Sequence, residues 1–258
     1  MSTLIIVQAR MASTRLPGKV MLPLGGQTML ACLLERLRHV RKADALVVAT
    51  TVNPLDDVIA LWCQAHGVAC RRGSEDDVLS RYALAASAPG VDVVVRVTAD
   101  CPLLDPALVD QAIAAFETGD CDYLSNMLPP SWPYGMAIEV FSAQALIEAN
   151  REATLAAERE HVTPFIYWHP KRYRIRNLAS PQDLSYHRWT VDTAEDYKLV
   201  KLIFENLYPG QPNFSMTDVL SLMDAHPDWL QINQHIEQKQ AMQAMQAITL
   251  VPILEQRK

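Results

Sequence analysis

Five residues near the N-terminus, Thr3-Leu4-Ile5-Ile6-Val7, form an unbroken apolar and mostly β-branched run, and an irregular stretch carrying three cations follows at once. A run of this kind reads as a strand buried on both faces of a parallel sheet. That reading restricts the chain to an α/β architecture with helices on both sides. The residues leaving the C-terminal end of such a strand open into the crevice where these folds bind ligands. Here they are Gln8-Ala9-Arg10-Met11-Ala12-Ser13-Thr14-Arg15-Leu16-Pro17-Gly18-Lys19. Residues 1–42 hold seven Lys or Arg against one Glu, a local balance of +6 in a chain whose formal net charge is −6. This polarity suits a polyanionic ligand.

The familiar phosphate motifs do not fit. A Walker A loop needs a glycine five positions ahead of Gly-Lys and a hydroxyl after it, but Ser13 and Val20 stand there. No Gly-x-Gly-x-x-Gly follows the strand. What remains is a loop whose backbone amides and cations Arg10, Arg15 and Lys19 could wrap a triphosphate, with Pro17-Gly18 turning Lys19 back inward. The plain alternative is an exposed basic loop.

Strand and helix patterns then alternate. Residues 28–42 carry helical spacing (Met29, Leu30, Leu33, Leu34, Leu37), 45–50 form a second buried strand, 54–66 a helix and 68–71 a short strand. Ser74 is expected to cap a helix running through Ala86, with Asp77 completing a capping box. Residues 91–97 read as a strand, 106–117 as a helix and 121–124 as a further edge. Residues 126–134 contain three prolines and no period, marking a long loop of the functional kind. Strands at 136–141 and 173–178 flank helical stretches at 144–157 and 158–168. A strand over 187–193 is expected to end on a helix capped by Thr193 and Asp196. The pattern gives one α/β domain over residues 1–237, with an inserted lid or subunit-contact segment at 136–178. The Gln- and Met-rich residues 238–258 read as a peripheral tail.

With 258 residues, half of them hydrophobic, the chain can bury a full core. It has no 18-residue apolar run, and the first strand begins at Thr3, so neither a secretory leader nor a membrane span is expected. Five cysteines, an odd number without a CxxC pair, read as reduced thiols of a cytoplasmic protein. The net negative charge and the lack of a basic stripe argue against nucleic acid as a partner.

Two carboxylates carry the expected chemistry. Residues 93–102, Val-Val-Val-Arg-Val-Thr-Ala-Asp-Cys-Pro, deliver Asp100 just past a buried strand, and Asp192 is expected at the end of another. Taken singly, each could be an ordinary helix cap. Converging beside a cationic phosphate loop, they are what Mg²⁺ needs, since this hard cation is held by one or two carboxylates plus phosphate oxygens.

Residues 9–19, 96–106 (Arg-Val-Thr-Ala-Asp-Cys-Pro-Leu-Leu-Asp-Pro), 139–142 (Glu-Val-Phe-Ser), 159–164 (Arg-Glu-His-Val-Thr-Pro) and 188–192 (Arg-Trp-Thr-Val-Asp) together resemble the cytidylyltransferases of spore-coat polysaccharide synthesis. That family is related to the acylneuraminate and Kdo cytidylyltransferases. The resemblance spans about residues 3–205. It implies a Rossmann-like, glycosyltransferase-A-type nucleotidyltransferase with a mostly parallel sheet, which activates an acidic 2-keto sugar with CTP, releases pyrophosphate and works as a homodimer. It also implies that Arg10, Lys19 and Asp100 act in catalysis and that Asp100 and Asp192 hold Mg²⁺. The nucleotide contacts it implies are Ala9, Arg10, Met11, Ser13, Arg15, Lys19, Ser74, Thr98 and Asp100. Those to the acceptor are Asn126, Tyr134, Glu139, Arg159 and His161, the last two standing to act across the dimer.

One position departs from the pattern. Relatives read Gly, an apolar residue, then Asp ahead of Glu-Val-Phe-Ser, whereas this chain has Gly135-Met136-Ala137. Two further readings therefore stay open. One is a glycosyltransferase using a finished nucleotide sugar, although its usual Asp-x-Asp would need an Asp at Thr98. The other is a non-catalytic nucleotide-binding subunit. His161 divides evenly between a base and a structural or subunit-contact role, Trp132, Pro133 and Tyr134 favour anchoring the loop over stacking on a ligand, and Cys101 lacks an adjacent base to make it a nucleophile. Apolar residues at 146, 147, 162, 165, 166 and 168 point to an interface on the inserted segment.

Overall fold

In the computed structural model, which describes residues 1–236, the first apolar run is β1 (Thr3–Gln8) in the interior of a seven-stranded sheet. The other strands and α-helices, in chain order, are β2 (Pro23–Leu24), β3 (Gln27–Thr28), α1 (Met29–Leu37), β4 (Ala45–Thr51), α2 (Asp57–Ala65), β5 (Ala69–Gly73), α3 (Val78–Ala85), β6 (Val93–Thr98), α4 (Pro106–Glu117), β7 (Tyr123–Ser125), β8 (Glu139–Ser142), α5 (Ala143–Glu152), α6 (Ala156–His161), α7 (Pro164–Tyr167), β9 (Ile175–Asn177), α8 (Ala194–Leu207) and α9 (Met216–Ala225). The tail at 238–258 lies outside the described residues.

The strand order is β5-β4-β1-β6-β8-β7-β9, and only β8 runs against its neighbours. β1 pairs in parallel with β4 (Ile6 beside Val47) and β6 (Gln8 beside Thr98), so Gln8, Thr51, Gly73 and Thr98 end on one edge of the sheet. Alternation of side chains across the sheet builds two cores. Leu30, Leu33, Ile113, Val200 and Phe204 fill one face, and Leu79, Tyr82, Phe141, Leu146 and Ile166 the other.

Several boundaries differ from the sequence reading for identifiable reasons. The helix expected from Ser74 begins at Val78, because Asp77 Oδ1 accepts the Ser80 amide; the Ser74 hydroxyl only accepts the Asp77 amide in the preceding turn. Residues 136–138 do not join the strand at 139. Their backbone is engaged by Asn126, whose Nδ2 donates to Met136 O and whose Oδ1 accepts Ile138 N. Val162, at φ 74°, separates α6 from α7 in what looked like one helix. The hairpin β2–β3 and α9 carry no period strong enough to announce them.

Two expectations are overturned. Residues 187–193 form no strand; a single bridge pairs Arg188 with Tyr134. And the apolar side chains taken to mark an interface are not an exposed patch. Leu146, Val162, Phe165 and Ile166 are buried in the second core, and only Ile147 is largely exposed. β8 and α5–α7 need those residues to cover their own side of the sheet.

Candidate active site

The loop after β1 is folded by its own backbone and by one distant carboxylate. The Met11 carbonyl accepts the amides of Ser13 and Gly18, both at 2.9 Å, and Gly18 adopts φ 72°, which a side chain would strain. The buried carboxylate of Asp56 accepts the Met11 amide at 2.7 Å and also bonds Thr51. This closed turn sends Lys19 down to the sheet edge, where its side chain is 9% exposed.

There the Lys19 ammonium lies between two carboxylates, 2.7 Å from Asp100 Oδ2 and 2.8 Å from Asp192 Oδ1. Thr98 Oγ1 donates to Asp100 Oδ1 at 2.6 Å, while Arg15 Nη2 holds Asp192 Oδ2 at 2.8 Å. Burial alone would lower the Lys19 pKa, but the two carboxylates outweigh it and hold the ammonium above its ordinary range. Burial likewise opposes ionisation of Asp100, and Lys19 overcomes it, keeping the carboxyl below the usual aspartate range. Gln8, Arg10, Ser13, Lys19, Thr98 and both aspartates line one polar cleft of about 140 Å³. A larger groove of about 480 Å³ between Leu24 and Phe204 is chiefly apolar. Of the two, the smaller cleft is the candidate for ligand chemistry, because Arg10, Lys19 and the two aspartates converge on it.

Asp192 reaches Asp100 without a strand. Val191 N donates to Asp100 O at 2.8 Å, and both Trp189 N and Thr190 N donate to Tyr134 O. Gly135 makes this approach possible: a Cβ there would lie 2.5 Å from Thr190 N. Beneath Asp192 sits a buried scaffold of which sequence reasoning had only the helix cap formed by Thr193 and Asp196. Arg188 clamps the Asp196 carboxylate through Nε (2.8 Å) and Nη2 (2.9 Å), Asp196 accepts the amides of Asp192 and Thr193, and Asn233 Nδ2 donates to both Asp196 and Arg188 O. Burial pushes Asp196 up, but its pairing with Arg188 prevails and its pKa is lowered. The helix cap and the i, i+4, i+8 spacing of Arg188, Asp192 and Asp196 were the available signals; nothing local pointed to Asn233 or Asp56.

The other expected residues lie further off. Ala9 is buried at the base of the loop and Ser74 is exposed beyond the cleft. Tyr134 is half-buried beside the cleft, its ring 5.0 Å beneath the Arg188 guanidinium. Trp132 anchors the long loop by donating to Leu178 O at 2.7 Å. Asn126 spends its amide on backbone, and Glu139 is buried among Arg96, Tyr123 and Thr163. Arg159 pairs with Asp77 and Asn150, at a separate place from the cleft, and His161 ends α6 half-buried.

A mostly parallel α/β sheet whose C-terminal edge gathers a cationic loop and two carboxylates defines a nucleotidyltransferase. Comparison with known proteins agrees. Residues 4–245 match the cytidylyltransferase family, and the chain belongs to it. The spore coat polysaccharide biosynthesis protein SpsF of Bacillus subtilis is 37% identical over 234 residues, covering 87% of this chain and 95% of that protein. A cytidylyltransferase structure from Leptospira borgpetersenii superposes with a TM-score of 0.85 at 34% identity, over 92% of this chain and 100% of that one. The structure of CMP:2-keto-3-deoxy-manno-octonic acid synthetase complexed with CTP shares the fold at a TM-score of 0.62 and 16% identity, over 80% of this chain and 100% of that one.

Proposed function

We propose that this cytidylyltransferase transfers CMP from CTP to an acidic sugar, a nonulosonic or related 2-keto acid sugar, with release of pyrophosphate, in the cytoplasmic synthesis of a surface polysaccharide or glycan. The observation that carries the reading is the meeting of Lys19, Asp100 and Asp192 at the sheet edge beside Arg10 and Arg15. The polysaccharide role of SpsF supports the same role here, and the CTP-bound synthetase supports an acidic 2-keto acceptor.

In this reading Arg10 and Lys19 neutralise the triphosphate and favour departure of pyrophosphate, while the loop amides hold its oxygens in line for attack by the sugar hydroxyl. Asp100 and Asp192 would hold Mg²⁺. The donor set fits, since two carboxylates already converge on one cation, the Lys19 ammonium, and phosphate oxygens would complete a hard shell. When bound, the ion supplies charge neutralisation on the phosphate oxygens. Tyr134 and the nearby loop line the acceptor side; Asn126 and Glu139 act by holding that loop and β8. Homodimer assembly belongs to the same proposal and rests on the resemblance, with Ile147 and Leu155 the large apolar side chains that the inserted segment leaves exposed.

Pyrophosphate release tests the reading. With CTP and a panel of acidic and neutral sugars, release is expected only with an acidic 2-keto sugar. Equal release with neutral hexoses would overturn the acceptor class, and none with any sugar would favour a binding subunit. No helix among the described residues is long and apolar enough to cross a membrane.

A further inference from the structure

Both candidate metal carboxylates point at a position that is already taken. The Lys19 ammonium sits 2.7 Å from Asp100 Oδ2 and 2.8 Å from Asp192 Oδ1, and two cations cannot share that point. Arg15 covers the other oxygen of Asp192, and Arg188 Nη2 stands 3.4 Å from the same atom. The two carboxylates thus already face three cationic groups, one of them shared with Asp196. With Asp196 counted the charges cancel, so the cluster offers a further divalent cation no net attraction, and the ammonium at the shared point repels it. A triphosphate reverses this by bringing several negative oxygens into the cleft that Lys19 shares with Arg10 and Ser13. Lys19 has the means to follow: its main chain is fixed after Gly18, but its charge rides on a flexible four-carbon stem.

We infer that Lys19 closes the metal site in the free protein, and that the site opens only when nucleotide phosphates draw the ammonium away. The divalent cation therefore enters with CTP or after it, never before. This rests on the reading of Asp100 and Asp192 as metal carboxylates. Lys19 then serves twice, first as a stand-in for the metal and then as a contact to the phosphates. By linkage, whatever factor CTP adds to metal affinity, the metal adds to CTP affinity, and such couplings run roughly 5- to 150-fold.

Manganese binding, followed on the full-length protein by loss of the free-ion electron paramagnetic resonance signal, tests this without turnover because no acceptor sugar is present. Wild type alone should bind no stoichiometric Mn²⁺. Wild type with CTP should take up an ion beyond what CTP alone sequesters. Lys19→Met, which frees Asp100 Oδ2 and Asp192 Oδ1 while leaving Arg15 on the other oxygen, should bind Mn²⁺ without nucleotide, and adding Asp192→Asn should abolish that gain. Should Lys19→Met fail to fold, Lys19→Gln and the wild-type arms carry the same test. Binding by wild type alone as tight as by Lys19→Met would overturn the inference and leave the metal site standing. Failure of Mn²⁺ to bind either with CTP or in the variant would remove the metal reading itself.

Discussion

Removing the Lys19 ammonium leaves two carboxylates facing each other at a half-buried edge, and it also removes a donor to the triphosphate. Turnover by Lys19→Met should therefore fall about 10²- to 10³-fold, as for loss of a preorganised electrostatic donor. Steady-state kinetics with saturating CTP checks this, and a loss under threefold would take Lys19 out of the chemistry. Asp196 calls for a different measurement, because it touches no expected ligand. Asp196→Asn leaves the buried Arg188 guanidinium short of its counter-charge, which should cost about 3–5 kcal/mol at pH 7. Its folded pKa lies below the ordinary 3.8, so its stabilisation is complete above that value and disappears as pH falls through the folded one. Denaturant melts should show the gap between wild type and Asp196→Asn closing below about pH 4; a gap constant down to pH 3 would mean that charge is not its cause.

Among the elements, the segment 187–193 and the loop 126–135 behave as one unit joined at Gly135. Gly135→Ala places a methyl group against the backbone of Trp189 and Thr190 at φ 118°, so the loop bearing Asp192 must shift. A destabilisation of about 1–3 kcal/mol is expected, together with activity lost beyond what the unfolded fraction explains. Thermal melts beside specific activity separate the two effects. The inserted segment obeys ordinary core rules. Leu146→Ala in the second core should cost about 2–5 kcal/mol. Phe165→Asp should unfold the chain rather than split a dimer, since Phe165 is buried against Tyr173 and His169 within one copy.

For the whole molecule, a ligand that binds only the folded state at ~100 times its dissociation constant adds ~2.7 kcal/mol. CTP with Mg²⁺ should raise the melting temperature more than UTP, ATP or GTP at equal concentration, and a larger shift with ATP would contradict the cytidylyl preference. The first half of the fold was legible because its signals are local: an apolar run names a buried strand, a 3.6-residue period names the covering helix, and Arg10, Lys19 and Asp100 follow directly from those strand ends. The strand expected to carry Asp192 is absent. The motif was visible, but Asp192 is placed by backbone bonds to Tyr134 and Asp100 rather than by a strand of its own. By itself, then, the sequence determined the alternating α/β class and the cationic loop, because strand and helix periods act over a few residues. Only the tertiary structure decided that Lys19 bridges Asp100 and Asp192, that Asn233 steadies Asp196, and that the inserted helices face inward. Each of those rests on contacts between residues far apart in the chain, whose geometry no local pattern encodes.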